Sequence, residues 1–95
     1  MTPAFTVRTS SHFERLATAQ LKKHSEFAAL LRRAIEILQI DPYNQGRIHA
    51  IKKLAGPQRD GQWRLRLGRW RFRYDIAGQT VELKYCGLRR EDTYR

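Results

Sequence analysis

Ninety-five residues with a mass of 11.2 kDa leave room for one domain, 1–95, and exclude a large multi-domain enzyme. An apolar fraction of 41% with 11% aromatics suffices for a small core and excludes a disordered chain, despite 29% charged residues and a mean hydropathy of −0.67. Nineteen Lys and Arg against nine Asp and Glu give a net charge of +10 and a pI near 10.7, a field that selects a polyanion or an acidic protein as partner.

Met1 to Ser11 holds Arg8 but no continuous apolar run, and nowhere does an apolar run approach the ~18 residues of a membrane span. Neither a signal peptide nor a membrane partner is expected, and the chain is placed in the cytoplasm. Phe5 to Arg8 forms a short strand. Ser10 or Ser11 then caps a first amphipathic helix with Phe13, Leu16, Ala17 and Leu21 at helical spacing and Lys22, Lys23 and His24 at its C-terminal end. Ser25 is the N-cap candidate for a second helix, on which Phe27, Leu30, Leu31, Ala34, Ile35 and Leu38 make one apolar stripe that Asp41-Pro42 ends. Both stripes are core packing rather than a cofactor site. Ala55 to Gly61, with Gly56 and Pro57, is a loop.

From Trp63 the period changes to two. Trp63, Leu65 and Leu67 alternate with Arg64 and Arg66; Trp70, Phe72, Tyr74 and Ile76 alternate with Arg71, Arg73 and Asp75. Gly68-Arg69 suits a two-residue turn that pairs Leu67 with Trp70, Arg66 with Arg71, Leu65 with Phe72 and Arg64 with Arg73. A second turn near Gly78-Gln79 leads to a third strand, with Val81, Leu83 and Tyr85 expected on the apolar face and Glu82, Lys84 and Cys86 on the other. In that register Tyr74 faces Leu83 and Arg73 faces Lys84. The fold class is therefore α+β: a small antiparallel sheet, made of the N-terminal strand and a three-stranded meander, with two helices packed on one face.

Tyr43 to Tyr74 contains nine Lys or Arg and one acid, Asp60, whereas both flanks are nearly balanced. Like charges directly opposite each other cost a fraction of ~1 kcal/mol per pair, yet this register stacks Arg64 on Arg73 and Arg66 on Arg71. A solvated cationic face offset by Asp75 and Glu82 is the plain reading of such a run. Phosphate between the guanidinium groups accounts better for four arginines on one face of one hairpin. Either Lys52 or Lys53 can reach a backbone phosphate or stand as a solvated loop lysine, and Tyr94 can stack on a base or pack against the sheet. His12, His24 and His49 lie far apart in sequence, the single Cys86 can form neither an internal disulfide nor a CxxC site, and no metal or cofactor is expected. There is no Gly-rich phosphate loop, HExxH or nucleophile elbow.

A short strand, two helices ending in Asp41-Pro42, Lys53-Leu54-Ala55-Gly56, the hairpin from Trp63 to Tyr74, Val81 to Tyr85 and the terminal Arg89-Arg90-Glu91-Asp92-Thr93-Tyr94 together resemble the RelE/ParE superfamily, the toxins of bacterial toxin–antitoxin pairs. The resemblance covers nearly the whole chain and is most specific in the hairpin and the Arg…Tyr tail. It implies a RelE-like ribosome-dependent mRNA endonuclease, an mRNA interferase that inhibits translation by cutting mRNA in the A site and is silenced by an acidic antitoxin. In that mechanism the RNA 2′-hydroxyl attacks the adjacent phosphate, releasing a 5′-hydroxyl and leaving a cyclic phosphate. Carried onto this chain, the catalytic positions are Arg64, Arg66, Arg71, Arg89 and Tyr94, and the RNA-binding positions are Lys52, Lys53, Arg69, Arg73, Lys84 and Arg90. Arg64 and Arg66 stand where the RelE pattern has lysines. Guanidinium groups stay protonated and make poor bases, which leaves Lys52, Lys53, Lys84, His49 or the ribosome to supply one. Two other functions fit: a ParE-like inhibitor of DNA gyrase with no nuclease chemistry, and a non-toxic nucleic-acid-binding module.

Overall fold

The computed structural model of the protein describes residues 4–89. The element order is β1 (Thr6–Thr9), α1 (Ser11–Lys23), α2 (Phe27–Ile40), β2 (Ile51–Lys53), β3 (Trp63–Leu67), β4 (Trp70–Ala77) and β5 (Thr80–Leu88). The five strands form one sheet in the order β1-β5-β4-β3-β2. The fold is α+β, as the change of period at Trp63 predicts. The sheet, however, is mixed rather than antiparallel: β1 lies parallel to β5, with Val7 beside Val81. A parallel edge is open to β1 because two helices and three strands, rather than a tight turn, separate it from β5 in the chain. The fifth strand, β2, was not expected; Ile-Lys-Lys is too short and too charged to show an alternating pattern, and only its pairing with β3 makes it a strand.

Ser10 is the cap of α1. Its backbone N–H continues the strand ladder to the Leu83 carbonyl at 3.0 Å, and its hydroxyl accepts from the Phe13 N–H at 3.0 Å. At α2 the cap position is Glu26 and not Ser25, and its side chain does not cap the helix. The Glu26 carboxylate instead meets Arg69 at 3.1 Å. α2 ends at Asp41-Pro42 as expected, with the Asp41 N–H closing on the Ile37 carbonyl at 2.9 Å.

The core joins Phe13 and Ala17 of α1, Phe27, Ala34, Ile37 and Leu38 of α2, and Leu65, Trp70, Phe72, Tyr74, Val81, Leu83 and Cys86 of the sheet. Both helices thus cover the same sheet face, through one apolar stripe each. Leu21, assigned to the stripe by spacing, is 46% exposed, and Gln20 takes the buried place. The Phe27 ring lies 4.9 Å from Trp70 and stacks on Phe72 at 6.0 Å, locking α2 to the hairpin.

The β3–β4 register agrees with the expected one at Leu67–Trp70, Arg66–Arg71, Leu65–Phe72 and Arg64–Arg73, around a Gly68 with φ 60°. The β4–β5 register agrees only as far as Tyr74–Leu83. A β-bulge then leaves Lys84 unpaired, so that Arg73 meets Tyr85, Phe72 meets Cys86 and Arg71 meets Gly87. Tyr85 therefore lies on the arginine face and Cys86 in the core, the reverse of the simple alternation.

Candidate nucleic-acid interface

The sheet face opposite the helices is built in cross-strand rows. One row runs Lys52, Arg64, Arg73, Tyr85 across β2, β3, β4 and β5. The next runs Arg66, Arg71, Gly87, with Ala50 at its outer end, where the Ala50 carbonyl accepts from the Arg66 N–H at 2.9 Å. Arg89 follows at the end of β5, its N–H donating to the Arg69 carbonyl at 2.7 Å. On the other side of the first row lies a pair of acids, Asp75 opposite Glu82. Cross-strand neighbours stand ~4.5–5.5 Å apart at Cβ, so each arginine is within reach of the others and of any anion placed among them.

The cations differ in what already holds them. Arg73 donates to the Gln58 side chain at 2.9 Å and to the Gly61 carbonyl at 3.0 Å, so it anchors the loop between β2 and β3. Gln62 completes that anchor by donating its backbone N–H to Asp75 at 2.8 Å. Lys84, pushed out by the bulge, lies 3.5 Å from Asp75 and 3.8 Å from Glu82. Arg69 pairs with Glu26, whose carboxyl is held below the ordinary carboxylate value by its own backbone hydrogen bond and then by this guanidinium. Lys53 points to the other face, its ammonium 5.7 Å from the Trp63 ring centre. Arg64, Arg71 and Arg73 each bury their Nε against the sheet. The side chains of Lys52 and Arg66 are exposed and, among the described residues, have no hydrogen-bond or ion-pair partner.

Of the residues singled out in the sequence, the fold brings together Lys52, Arg64, Arg66, Arg71 and Arg73, sets Arg89 beside them, and places Lys53 elsewhere. Lys84 stays near the face, engaged by acid, whereas Arg69 at the hairpin turn is drawn to Glu26 at the start of α2. Arg90 and Tyr94 lie outside the described residues. Tyr85 joins the cationic face and was missed, because a bulge cannot be read from alternation. His49 is clamped through its backbone by Asn44 and does not stand in either row. Among the described residues, no group of three or more His, Cys, Asp or Glu could hold a metal ion, and no helix is long and apolar enough to cross a membrane.

What such a face can do chemically is hold phosphate. Guanidinium groups present planar donor forks to phosphate oxygens and keep their charge at any working pH. Half-buried guanidinium groups fixed by the sheet are preorganised, so they can stabilise charge that develops on a phosphate without reorganising. No family model, curated protein or solved structure matches the chain.

Proposed function

We propose that the protein is the RNA-cutting toxin of a toxin–antitoxin pair, a RelE-like endonuclease acting on mRNA in the ribosomal A site. The observation that supports this most is the pair of adjacent cross-strand rows that stack arginine on arginine in the middle of the sheet. Like charges placed opposite each other repel, and phosphate oxygens between the guanidinium forks would turn that arrangement into binding. In the reaction, a bond forms between the RNA 2′-oxygen and phosphorus while the bond to the 5′-oxygen breaks. Arg66 and Arg71 face each other where they can share the developing phosphorane charge, with Arg64 in the neighbouring row. A proton must leave the 2′-hydroxyl and another must reach the departing 5′-oxygen. No guanidinium can act as the base; Lys52, opposite Arg64, is the amine on this face.

The acidic antitoxin would have two surfaces to use. The cationic face offers charge, and a groove of about 390 Å³ outside the helical pair offers apolar contact through Leu21, Ala28, Leu31 and Ile35, beside Arg32 and Glu36. A partner helix with an apolar stripe and acidic flanks fits both the groove and the nearby Lys22, Lys23 and Arg33.

The deciding experiment is induction of this single chain in a bacterial cell with 5′-end mapping of mRNA minutes later. Growth arrest with new ends phased to codons, lost on Arg71→Ala and on Tyr94→Ala, is the expected result. Arrest with intact mRNA would sink the nuclease and favour a gyrase-directed toxin, for which the arginines in place of lysines speak. Absence of arrest would leave a binding module.

A further inference from the structure

The connection from α2 to β2 is held far more firmly than a surface loop requires. At its start the buried Tyr74 hydroxyl donates to the Pro42 carbonyl at 2.7 Å. The Asp41 carboxylate accepts from the backbone N–H groups of Gln45 at 2.8 Å and Gly46 at 2.9 Å, and the Asp41 carbonyl accepts from the Asn44 N–H at 3.1 Å. The Asn44 side chain then closes a ring with His49, donating to its carbonyl at 2.9 Å and accepting from its N–H at 3.1 Å. At the far end the Ala50 carbonyl takes the Arg66 N–H. Inside this frame Arg47 is held at φ 58°, a left-handed conformation that a non-glycine residue adopts at a cost.

What the frame presents is Ile48, at 79% the most exposed large apolar residue among those described. A single exposed aliphatic residue is ordinary on a surface; what sets this one apart is a firmly bonded loop with a strained, left-handed arginine directly before it. The chemistry around the tip is one-sided. From Tyr43 to Lys53 the chain has Arg47, Lys52 and Lys53 and no acid. Ile48 is four residues from Lys52, hence within ~14 Å of the cationic face along the chain. A protein interface is built around a cluster of apolar anchors in a closed pocket, whereas a lone aliphatic side chain with Arg47 before it and Lys52 four residues on suits a step between bases flanked by phosphates.

We infer that the loop from Asp41 to Ala50 is a rigid finger that sets Ile48 as a wedge against the bases of an RNA strand, with Arg47 and Lys52 on the neighbouring phosphates. The inference rests on the RNA-directed reading of the cationic face and adds to it a contact that senses bases rather than charge.

Binding of the purified chain to a short single-stranded RNA and to an abasic strand of the same length, at low salt, tests it. Wild type should bind the base-bearing strand about tenfold more tightly, the size of one base contact. Ile48→Ser should lower that preference several-fold, Tyr94 keeping its own share, while binding the abasic strand as wild type does, and Ile48→Leu should keep it in full. Because Ile48 is exposed, the serine variant should melt with the wild type, so a loss of binding is not a loss of fold. A serine variant that keeps the full preference overturns the wedge and leaves the RNA reading standing; if it binds an acidic protein partner less well, the finger belongs to that partner. Equal weakening on both strands also overturns it. No binding of wild type to either strand removes the RNA reading itself, and the wedge with it.

Discussion

Tyr74 ties the sheet to the end of α2 through a single buried hydrogen bond to Pro42. Burial, and then the charge of Asp41, raise its pKa above the ordinary value of 10. Tyr74→Phe leaves the Pro42 carbonyl without its partner and should cost about 1–2 kcal/mol, read as a lower melting temperature. The phenol is neutral in the fold well past the pH at which it ionises in the unfolded chain. Its contribution is therefore complete below pH 10 and is lost as pH rises beyond it, so the wild-type stability curve should fall more steeply above pH 10 than that of Tyr74→Phe. Gly61 is the second decisive residue. Its φ is 113°, and a Cβ would lie 2.6 Å from the Tyr74 backbone nitrogen, where β4 meets its bulge. Gly61→Ala should destabilise by more than about 1 kcal/mol, whereas Gly68→Ala, with open space around it, should pay only for its left-handed backbone. Circular dichroism melts of the two variants side by side check this ordering.

At the scale of elements, β3 and β4 carry two obligations that conflict. Their inner residues make the core, and their outer residues stack like charges. If the outer face exists for an anion, removing charge should stabilise the free chain while weakening its binding. Arg66→Gln is expected to raise stability by a few tenths of a kcal/mol in low salt, and both Arg66→Gln and Arg71→Gln to lower RNA affinity. Denaturant midpoints and RNA titrations on the same preparations test both halves; a drop in stability would mean the arginines are structural. The hairpin and its register were legible in the sequence because alternation and the Gly68-Arg69 turn specify them locally. The bulge at Lys84 was not. Its Lys84 meets Asp75 on the neighbouring strand as well as Glu82 on its own, and nothing in the run from Val81 to Leu88 announces it. The same holds for β2, which exists only because β3 is there to pair with it.

At the scale of the whole molecule, a net charge of +10 acts less through any one pair than through where the fold leaves it unneutralised. Glu26 at the start of α2 takes up Arg69, and Asp75 and Glu82 on β4 and β5 take up Lys84, while Lys52 and Arg66 stand exposed on the face that also carries Arg64 and Arg71. Four phosphate contacts on a single strand predict a slope near −3 for log affinity against log salt, reduced by about 0.7 in Arg66→Gln. A flat salt dependence would remove the phosphate-binding role from this face. The sequence by itself determined the α+β class, the two helices, the hairpin register and the excess of arginine on one side of it, because periodicity and turn residues act over a few positions. Only the tertiary structure decided the parallel edge, the fifth strand, the bulge that turns Tyr85 outward, and which cations are engaged by acid or by the loop. Those depend on residues far apart in the chain meeting across the sheet, and a linear pattern does not contain that information.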